Sequence, residues 1–134
     1  QLIENDQKMK ISKIFEIKGE TFFRDIEKKI TLNILKSKKG VIALGGGGFI
    51  TRDIKNEVLE NHLSFWLNWN VDTLVNRIKD SKKRPLALNS SKNQLIEIIK
   101  KRSIIYSKAL YKIDCENFTK QQIAKRIIDI YEAN

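Results

Sequence analysis

Apolar positions along the chain follow two spacings, which predict helices alternating with short strands. Apolar residues three or four positions apart favour helices at residues 10–18, 20–37, 53–60, 71–79, 92–109 and 120–132. Short continuous apolar runs favour strands at residues 41–44, 63–67 and 111–114. Gly19 is expected to end the first helix, and the Thr119 hydroxyl to cap the last one. Strands that alternate with helices predict a parallel sheet covered on both faces.

The chain is predicted to form one domain over residues 1–134. Its length suits a single core, and no repeat or Pro/Gly-rich linker divides it. Residues 81–92 contain the only proline among Lys, Arg, Asn and Ser, and they predict a mobile polar loop. No apolar run approaches the roughly 20 residues that span a bilayer. Cys115 is the only cysteine, so an internal disulfide is excluded and a reducing compartment such as the cytoplasm fits best.

The formal net charge of +10 permits two classes of partner. One is a nucleic acid or a membrane surface, where Lys and Arg neutralise phosphates. The other is an anionic small molecule bound by a protein that is generally rich in lysine. The lysines are scattered along every segment, whereas a nucleic-acid patch concentrates them among aromatic residues. We therefore expect a small-molecule partner, with neither a nucleic acid nor a membrane.

Four glycines, Gly45 to Gly48, follow directly after the predicted strand at 41–44. The carboxyl ends of strands in an open parallel sheet are where ligands bind. Glycines there let the backbone approach a ligand and offer its amides as donors. The alternative is a plain flexible turn, which one or two glycines would supply.

Arg102 interrupts an apolar face of the predicted helix 92–109. Leu95, Ile99 and Tyr106 lie on the same face at helical spacing. A guanidinium that faces a core is costly unless an anion or a hydrogen-bond partner meets it. The sequence leaves open whether that partner is a protein carboxylate or a bound anion.

Glu27 presents the same problem with the opposite charge, because it lies on the apolar stripe of helix 20–37. Arg24 precedes it by three residues and could reach it. An arginine held by a carboxylate can still direct its remaining donors at a substrate carboxylate. The alternative is a surface ion pair of little energetic value.

Two more arginines suggest a phosphate-donor side, and the only histidine does not. Arg84, in the polar loop, suits a lid that closes over a phosphate donor, while Arg77 lies on the preceding helix. A solvated basic loop is the alternative for Arg84. His62 is expected to be an ordinary residue at a strand edge. One histidine and one cysteine cannot build a zinc site.

Several segments together resemble shikimate kinase. Residues 14–27 read I-F-E-I-K-G-E-T-F-F-R-D-I-E, which is similar to the family's I-F-x-x-x-G-E-x-x-F-R-x-x-E. Residues 41–47 resemble its strand and triple glycine, although Gly48 stands where the family usually has Ala or Ser. Arg84-Pro85-Leu86 resembles the lid motif. Residues 102–106 resemble R-x-P-L-Y, with Ile104 in place of the proline.

The resemblance implies a three-layer α/β/α fold of the P-loop kinase type, with a parallel sheet. It also implies transfer of the ATP γ-phosphate to the 3-hydroxyl of shikimate in a monomeric, Mg²⁺-dependent enzyme of aromatic amino-acid biosynthesis. Residues 1–37 would be acceptor-binding helices and 81–92 the lid. The site residues carried over by the resemblance fall into four roles: the carboxylate clamp (Arg24, Arg102 and Glu27, which would hold Arg24), ring contacts (Gly45, Gly46, Gly47), pocket walls (Phe15, Phe23), and the ATP side (Arg77 near adenine, Arg84 on the transferring phosphate).

One departure from the family concerns the start of the chain. It opens on Gln1, and no G-x-x-x-x-G-K-[ST] loop or D-x-D segment matches within it. We expect an incomplete N-terminus that lacks the phosphate cradle, the Mg²⁺ ligand and the central strand, so that this stretch alone folds poorly and is inactive. Two other functions stay open: a non-catalytic remnant that binds shikimate-like anions, and a related kinase such as gluconate kinase.

Overall fold

The computed structural model describes residues 1–80 and 90–134. The elements in this part of the chain are α1 (Leu2–Gln7), α2 (Ile11–Ser37), a short 3₁₀ helix (Gly48–Ile50), α3 (Arg52–Asn61), β1 (Phe65–Asn68), α4 (Val71–Lys79), α5 (Lys92–Tyr106), β2 (Tyr111–Asp114) and α6 (Lys120–Glu132). Helix α1 was not predicted from the sequence. Most of the predicted loop at 81–92, including Arg84, lies outside the described residues.

Helix α2 is bent at Gly19, as the sequence predicts. Gly19 has φ 80° and ψ 171°, whereas the residues on both sides are helical. Glycine adopts this positive-φ conformation at little cost because it lacks a Cβ. The two predicted helices are therefore two arms of one 27-residue element.

The described sheet consists of β1 and β2, which pair in parallel. Phe65 is opposite Tyr111, and Asn68 is opposite Asp114. The prediction for β2 is confirmed at both ends, whereas β1 begins two residues later and ends one residue later than the predicted strand at 63–67. The α/β prediction is thereby supported by a parallel pair whose connection contains helices.

The strand predicted at residues 41–44 is wrong for the described structure. These residues lie in an irregular stretch, and the Val41 side chain is fully exposed. A β-strand needs a neighbour for its backbone hydrogen bonds, and within residues 1–80 and 90–134 only β1 and β2 pair. Apolar character alone therefore did not make this segment a strand.

Capping boxes start the two C-terminal helices. Ser91 and Gln94 exchange side-chain-to-backbone bonds at the start of α5, and Thr119 and Gln122 do the same for α6. The predicted Thr119 cap is confirmed. Helix α5 ends three residues earlier than predicted, because residues 107–109 close tight turns back onto the helix.

Three small apolar clusters hold the elements together. The first packs α2, the 3₁₀ helix and α3 through Leu35, Phe49, Ile54 and Val58. The second joins α4 to α5 through Val75, Leu95 and Ile99. The third joins β2 to α6 through Ile113, Cys115 and Ile123. Within the described residues, no helix is long and apolar enough to cross a membrane.

Candidate acceptor-binding site

Helix α2 directs a partly buried ion pair into an open cavity. Arg24 Nη1 donates to Glu27 Oε2 at 2.7 Å, and the Glu27 residue is only 6% exposed. The three-residue spacing places both side chains on one helix face, as the sequence predicts. A buried carboxylate without a partner would be costly, so Glu27 constrains where the Arg24 guanidinium lies.

A glycine turn faces this ion pair. The Gly48 amide donates to the Gly45 carbonyl at 2.9 Å, and the 3₁₀ helix follows at once. A Cβ on Gly47 would overlap the Arg24 guanidinium, and a Cβ on Gly45 would lie 3.3 Å from Glu27 Oε1. The backbone at Gly47 can therefore approach Arg24 only because it has no side chain. A plain turn does not require this close approach.

Arg102 reaches the same turn from helix α5. Its Nη1 atom lies 3.2 Å from where a Cβ on Gly46 would be. Among the described residues, no carboxylate comes within 4.0 Å of the Arg102 guanidinium. The protein ion pair that the sequence left open for Arg102 is therefore not formed among the described residues.

The ion pair, the glycine turn and Arg102 line one open cavity of about 970 Å³. Its described lining also contains Phe15 and Phe23, whose ring centroids are 4.7 Å apart across the bend at Gly19. The bend lets the two arms of α2 present an aromatic wall beside the Arg24 guanidinium. The cavity thus combines cations, backbone amides and aromatic faces, which suits a small polar ring that carries a negative charge.

The described cavity lining contains three cationic and two anionic side chains. Arg24, Lys101 and Arg102 are opposed by Glu20 and Glu27. Glu20 Oε1 lies 3.6 Å from Arg24 Nε, so Arg24 has a carboxylate on each side along its helix. Glu20 was not predicted from the sequence as a partner of Arg24, although its spacing of four residues from Arg24 was the available signal. Two flanking carboxylates fix one arginine while Arg102 keeps its donors available.

Tyr106 is a second residue whose contact the sequence analysis missed. It is the last residue of α5, and its hydroxyl donates to the Gly46 carbonyl. Its ring also lies near Phe49 of the 3₁₀ helix and Trp66 of β1, with centroid distances of 6.5 and 6.4 Å. The spacing to Arg102 placed both residues on one helix face, but the acceptor 60 residues away gave no local signal.

Arg77 and His62 lie outside the described cavity lining. The Arg77 guanidinium is 3.8 Å from the centroid of the Trp69 ring, and neither residue is part of the described cavity lining. His62 Nε2 lies 3.5 Å from Glu57 Oε1, outside that lining. In the part of the chain that the structure describes, no cluster of three or more His, Cys, Asp or Glu could hold a metal ion.

Comparison with known proteins is consistent with this geometry. The "Shikimate kinase" of Bartonella henselae is 35% identical over 129 residues, and the alignment covers 96% of this chain and 61% of that protein. The "Shikimate kinase" of Bacillus subtilis is 36% identical over 137 residues, with 96% and 70% covered. The chain thus spans less than two thirds of the length of the Bartonella relative.

Solved structures agree in fold. A shikimate kinase from Acinetobacter baumannii in complex with shikimate superposes with a TM-score of 0.88 at 26% identity, covering 98% of this chain and 75% of that one. The shikimate kinase of Aquifex aeolicus gives a TM-score of 0.85 at 28% identity, covering 98% and 77%. The fold and the cavity define an α/β domain of the P-loop kinase type, which confirms the predicted fold class. The sequence model of the family "Shikimate kinase" matches residues 1–132. The chain belongs to the shikimate kinase family.

Proposed function

We propose that this chain provides the acceptor-binding part of a shikimate kinase, an enzyme that transfers the γ-phosphate of ATP to the 3-hydroxyl of shikimate. The product would be shikimate 3-phosphate, on the route to chorismate and the aromatic amino acids. One observation carries the proposal: two guanidinium groups, Arg24 and Arg102, border the same glycine turn, and Arg102 has no protein carboxylate among the described residues. Such a pair suits the carboxylate of a small acid.

In the proposed carboxylate clamp, Arg24 and Arg102 have different roles. Glu27 and Glu20 hold Arg24 through Nη1 and Nε, which leaves other guanidinium N–H groups to meet the substrate carboxylate. Arg102 would meet the same carboxylate from α5. The planar fork of a guanidinium matches the two oxygens of a carboxylate, so two forks can fix the direction of the acid as well as hold it.

The glycine turn and the aromatic wall would position the ring. Within the described residues, neither the Gly46 nor the Gly47 amide has an internal acceptor. We propose that these amides donate hydrogen bonds to ring hydroxyl groups of shikimate, and that Gly45 also contacts the ring. Phe15 and Phe23 would cover the less polar edge of the ring. Holding the acceptor in one orientation is a large part of what a phosphoryl-transfer site contributes.

The ATP side of the proposed site includes Arg77 and Arg84. Arg77 would lie near the adenine, and its position over Trp69 gives that part of the surface a flat face. Arg84 would neutralise charge on the transferring phosphate, and it lies outside the described residues. Mg²⁺ accompanies ATP in phosphoryl transfer, but we assign it no ligand among the residues that the structure describes.

We also propose a monomer that acts in the cytoplasm on a small molecule, without a nucleic-acid or membrane partner. The scattered lysines and the lone cysteine support this setting. The cavity itself is of small-molecule size.

Calorimetric titration with shikimate tests the proposal because it reports acceptor binding without requiring turnover. We expect saturable binding, and Arg102→Lys should weaken it about 10- to 100-fold, since lysine keeps the charge but cannot form the two-pronged contact. Arg52→Lys, an exposed position on α3, is the matched control and should bind like the unmodified protein. Binding of gluconate in preference to shikimate, or equal affinities for the two variants, would overturn the assignment.

A further inference from the structure

The Tyr106 hydroxyl ties the end of helix α5 to the glycine turn. It donates to the carbonyl oxygen of Gly46, although the two residues are 60 positions apart in the chain. Gly46 is also the residue whose missing side chain leaves room for Arg102: a Cβ there would lie 3.2 Å from Arg102 Nη1 and 3.8 Å from the Tyr106 hydroxyl. The Gly46 backbone thus accepts a hydrogen bond from one side chain of α5 and, having no Cβ, leaves space for another.

The direction of that peptide group follows from its planarity. In a trans peptide the carbonyl of one residue and the amide of the next point in opposite directions, and the described residues contain no cis peptide bond. Because the Gly46 carbonyl points at Tyr106 on α5, the Gly47 amide points away from α5. The Tyr106 hydroxyl therefore determines where one of the proposed substrate donors is aimed.

The same contact bears on the proposed clamp. Gly47 lies against the Arg24 guanidinium, while Gly46 lies beside Arg102. A glycine turn has little conformational preference of its own, so its position must be imposed by neighbours. A hydroxyl bond at Gly46 restrains the turn at the point between the two arginines.

We propose that Tyr106 is a positioning residue for shikimate binding, which acts by holding the Gly46–Gly47 peptide in the orientation that turns the Gly47 amide away from α5, at the glycine that lies against Arg24. This inference rests on the proposed function. It concerns the acceptor alone, because the tyrosine ring packs against Phe49 and Trp66 and not against the proposed adenine side at Arg77.

Tyr106→Phe tests the inference, since it removes the hydroxyl and keeps the ring contacts. We expect calorimetry to show shikimate affinity reduced about 3- to 10-fold, the loss of roughly one net hydrogen bond. The melting temperature should stay within error of the unmodified protein, because the ring contacts with Phe49 and Trp66 are kept. The Tyr106→Phe variant should not bind a shikimate analogue that lacks only the carboxylate more tightly than it binds shikimate. The two arginines of the clamp are still present in this variant, and such an analogue cannot use them.

Tyr111→Phe is the matched control. Its hydroxyl donates to Asn134 Oδ1 at 2.9 Å at the far end of β2, and removing it changes the same atom type away from the cavity. This variant should bind shikimate like the unmodified protein. Equal shikimate affinity in Tyr106→Phe and Tyr111→Phe would overturn the inference while leaving the proposed function standing. A loss in Tyr106→Phe that is accompanied by a lower melting temperature would overturn it too, because it would indicate a structural role. Failure of the unmodified protein to bind shikimate would overturn both.

Discussion

The cavity side and the sheet side of the molecule are held together by different interactions. Around the cavity, the buried Glu27 carboxylate, the Arg24 guanidinium and the glycine turn meet through directional polar contacts and a close backbone approach. Around the sheet, Ile113 and Cys115 are buried in an apolar cluster with α6, and the polar side chains at the strand ends are exposed. Substitutions on the cavity side should therefore reduce binding, whereas substitutions on the sheet side should reduce stability.

The largest expected effect is a loss of stability on the sheet side. Ile113→Ala removes buried methyl and methylene groups from the third cluster, and it should lower the free energy of unfolding by about 2–4 kcal/mol. Shikimate affinity at a temperature where the protein is folded should be unchanged. Urea titration followed by fluorescence, together with calorimetry, measures the two quantities.

Leu67→Ala is the control for this prediction. Leu67 lies on β1 and is 44% exposed, so its truncation should cost well under half as much as that of Ile113. The comparison of the two sides would fail if Ile113→Ala weakened shikimate binding as strongly as it weakened the fold.

The next effect is a loss of binding on the cavity side. A Cβ on Gly47 would overlap the Arg24 guanidinium, so Gly47→Ala must displace either the turn or the arginine. We expect shikimate affinity to fall about 10- to 100-fold, as for the loss of a charge-assisted contact, with a small change in stability. Calorimetry and a thermal melt measure both.

The neighbouring glycine provides a matched control. A Cβ on Gly48 would meet Leu44 Cβ at 3.5 Å, which is an ordinary contact, and Gly48 does not have a positive φ. Gly48→Ala should therefore keep the affinity and leave stability equal or raised by about 0.4–1 kcal/mol. Equal losses of affinity in the two variants would show that the turn needs glycine for flexibility rather than for the approach to Arg24.

The smallest effect concerns Cys115 on the sheet side. Burial raises the pKa of the Cys115 thiol, and the nearby Asp114 carboxylate raises it further. At any given pH the folded protein thus has less thiolate than the unfolded chain. The thiol should react slowly with a disulfide reagent at pH 8 and much faster in urea, which a spectrophotometric assay measures.

The same shift has a consequence for stability at alkaline pH. Because the folded pKa is raised, the contribution of the protonated thiol is fully present below the unfolded pKa and is lost as the pH rises through the folded value. Unfolding titrations should show a slight loss above about pH 9. Equal reaction rates of the thiol in the folded and unfolded states would contradict this account.

Much of the secondary structure was predictable because it depends on neighbours in the chain. The helix at 71–79 and the strand at 111–114 have the predicted bounds, and Thr119 caps α6 as expected. Gly19 bends α2 where its missing side chain predicts a break. Helical spacing, caps and glycine are local signals, so a sequence reports them directly.

The misfit of charges on apolar faces was the most informative functional signal. Glu27 and Arg102 each interrupt an apolar stripe, and both line the cavity. The sequence indicated Arg24 as a partner for Glu27, but it left open whether Arg102 meets a protein carboxylate or a bound anion. The structure pairs Glu27 with Arg24 within α2, and it brings Arg102 to the cavity because both α2 and α5 pack against the 3₁₀ helix that follows the glycine turn.

The sequence thus specified most of the helices, the bend in α2 and the charges that require partners. Its motifs also showed which family the chain resembles. The tertiary structure alone decided that residues 41–44 are not a strand, that Gly47 lies against Arg24, and that Tyr106 bonds to Gly46. The two kinds of feature differ in how far apart in the chain the interacting residues are. Periodicity and capping depend on residues a few positions apart, whereas strand pairing and the contacts of the glycine turn depend on segments that are distant in the chain and meet only when the whole fold forms.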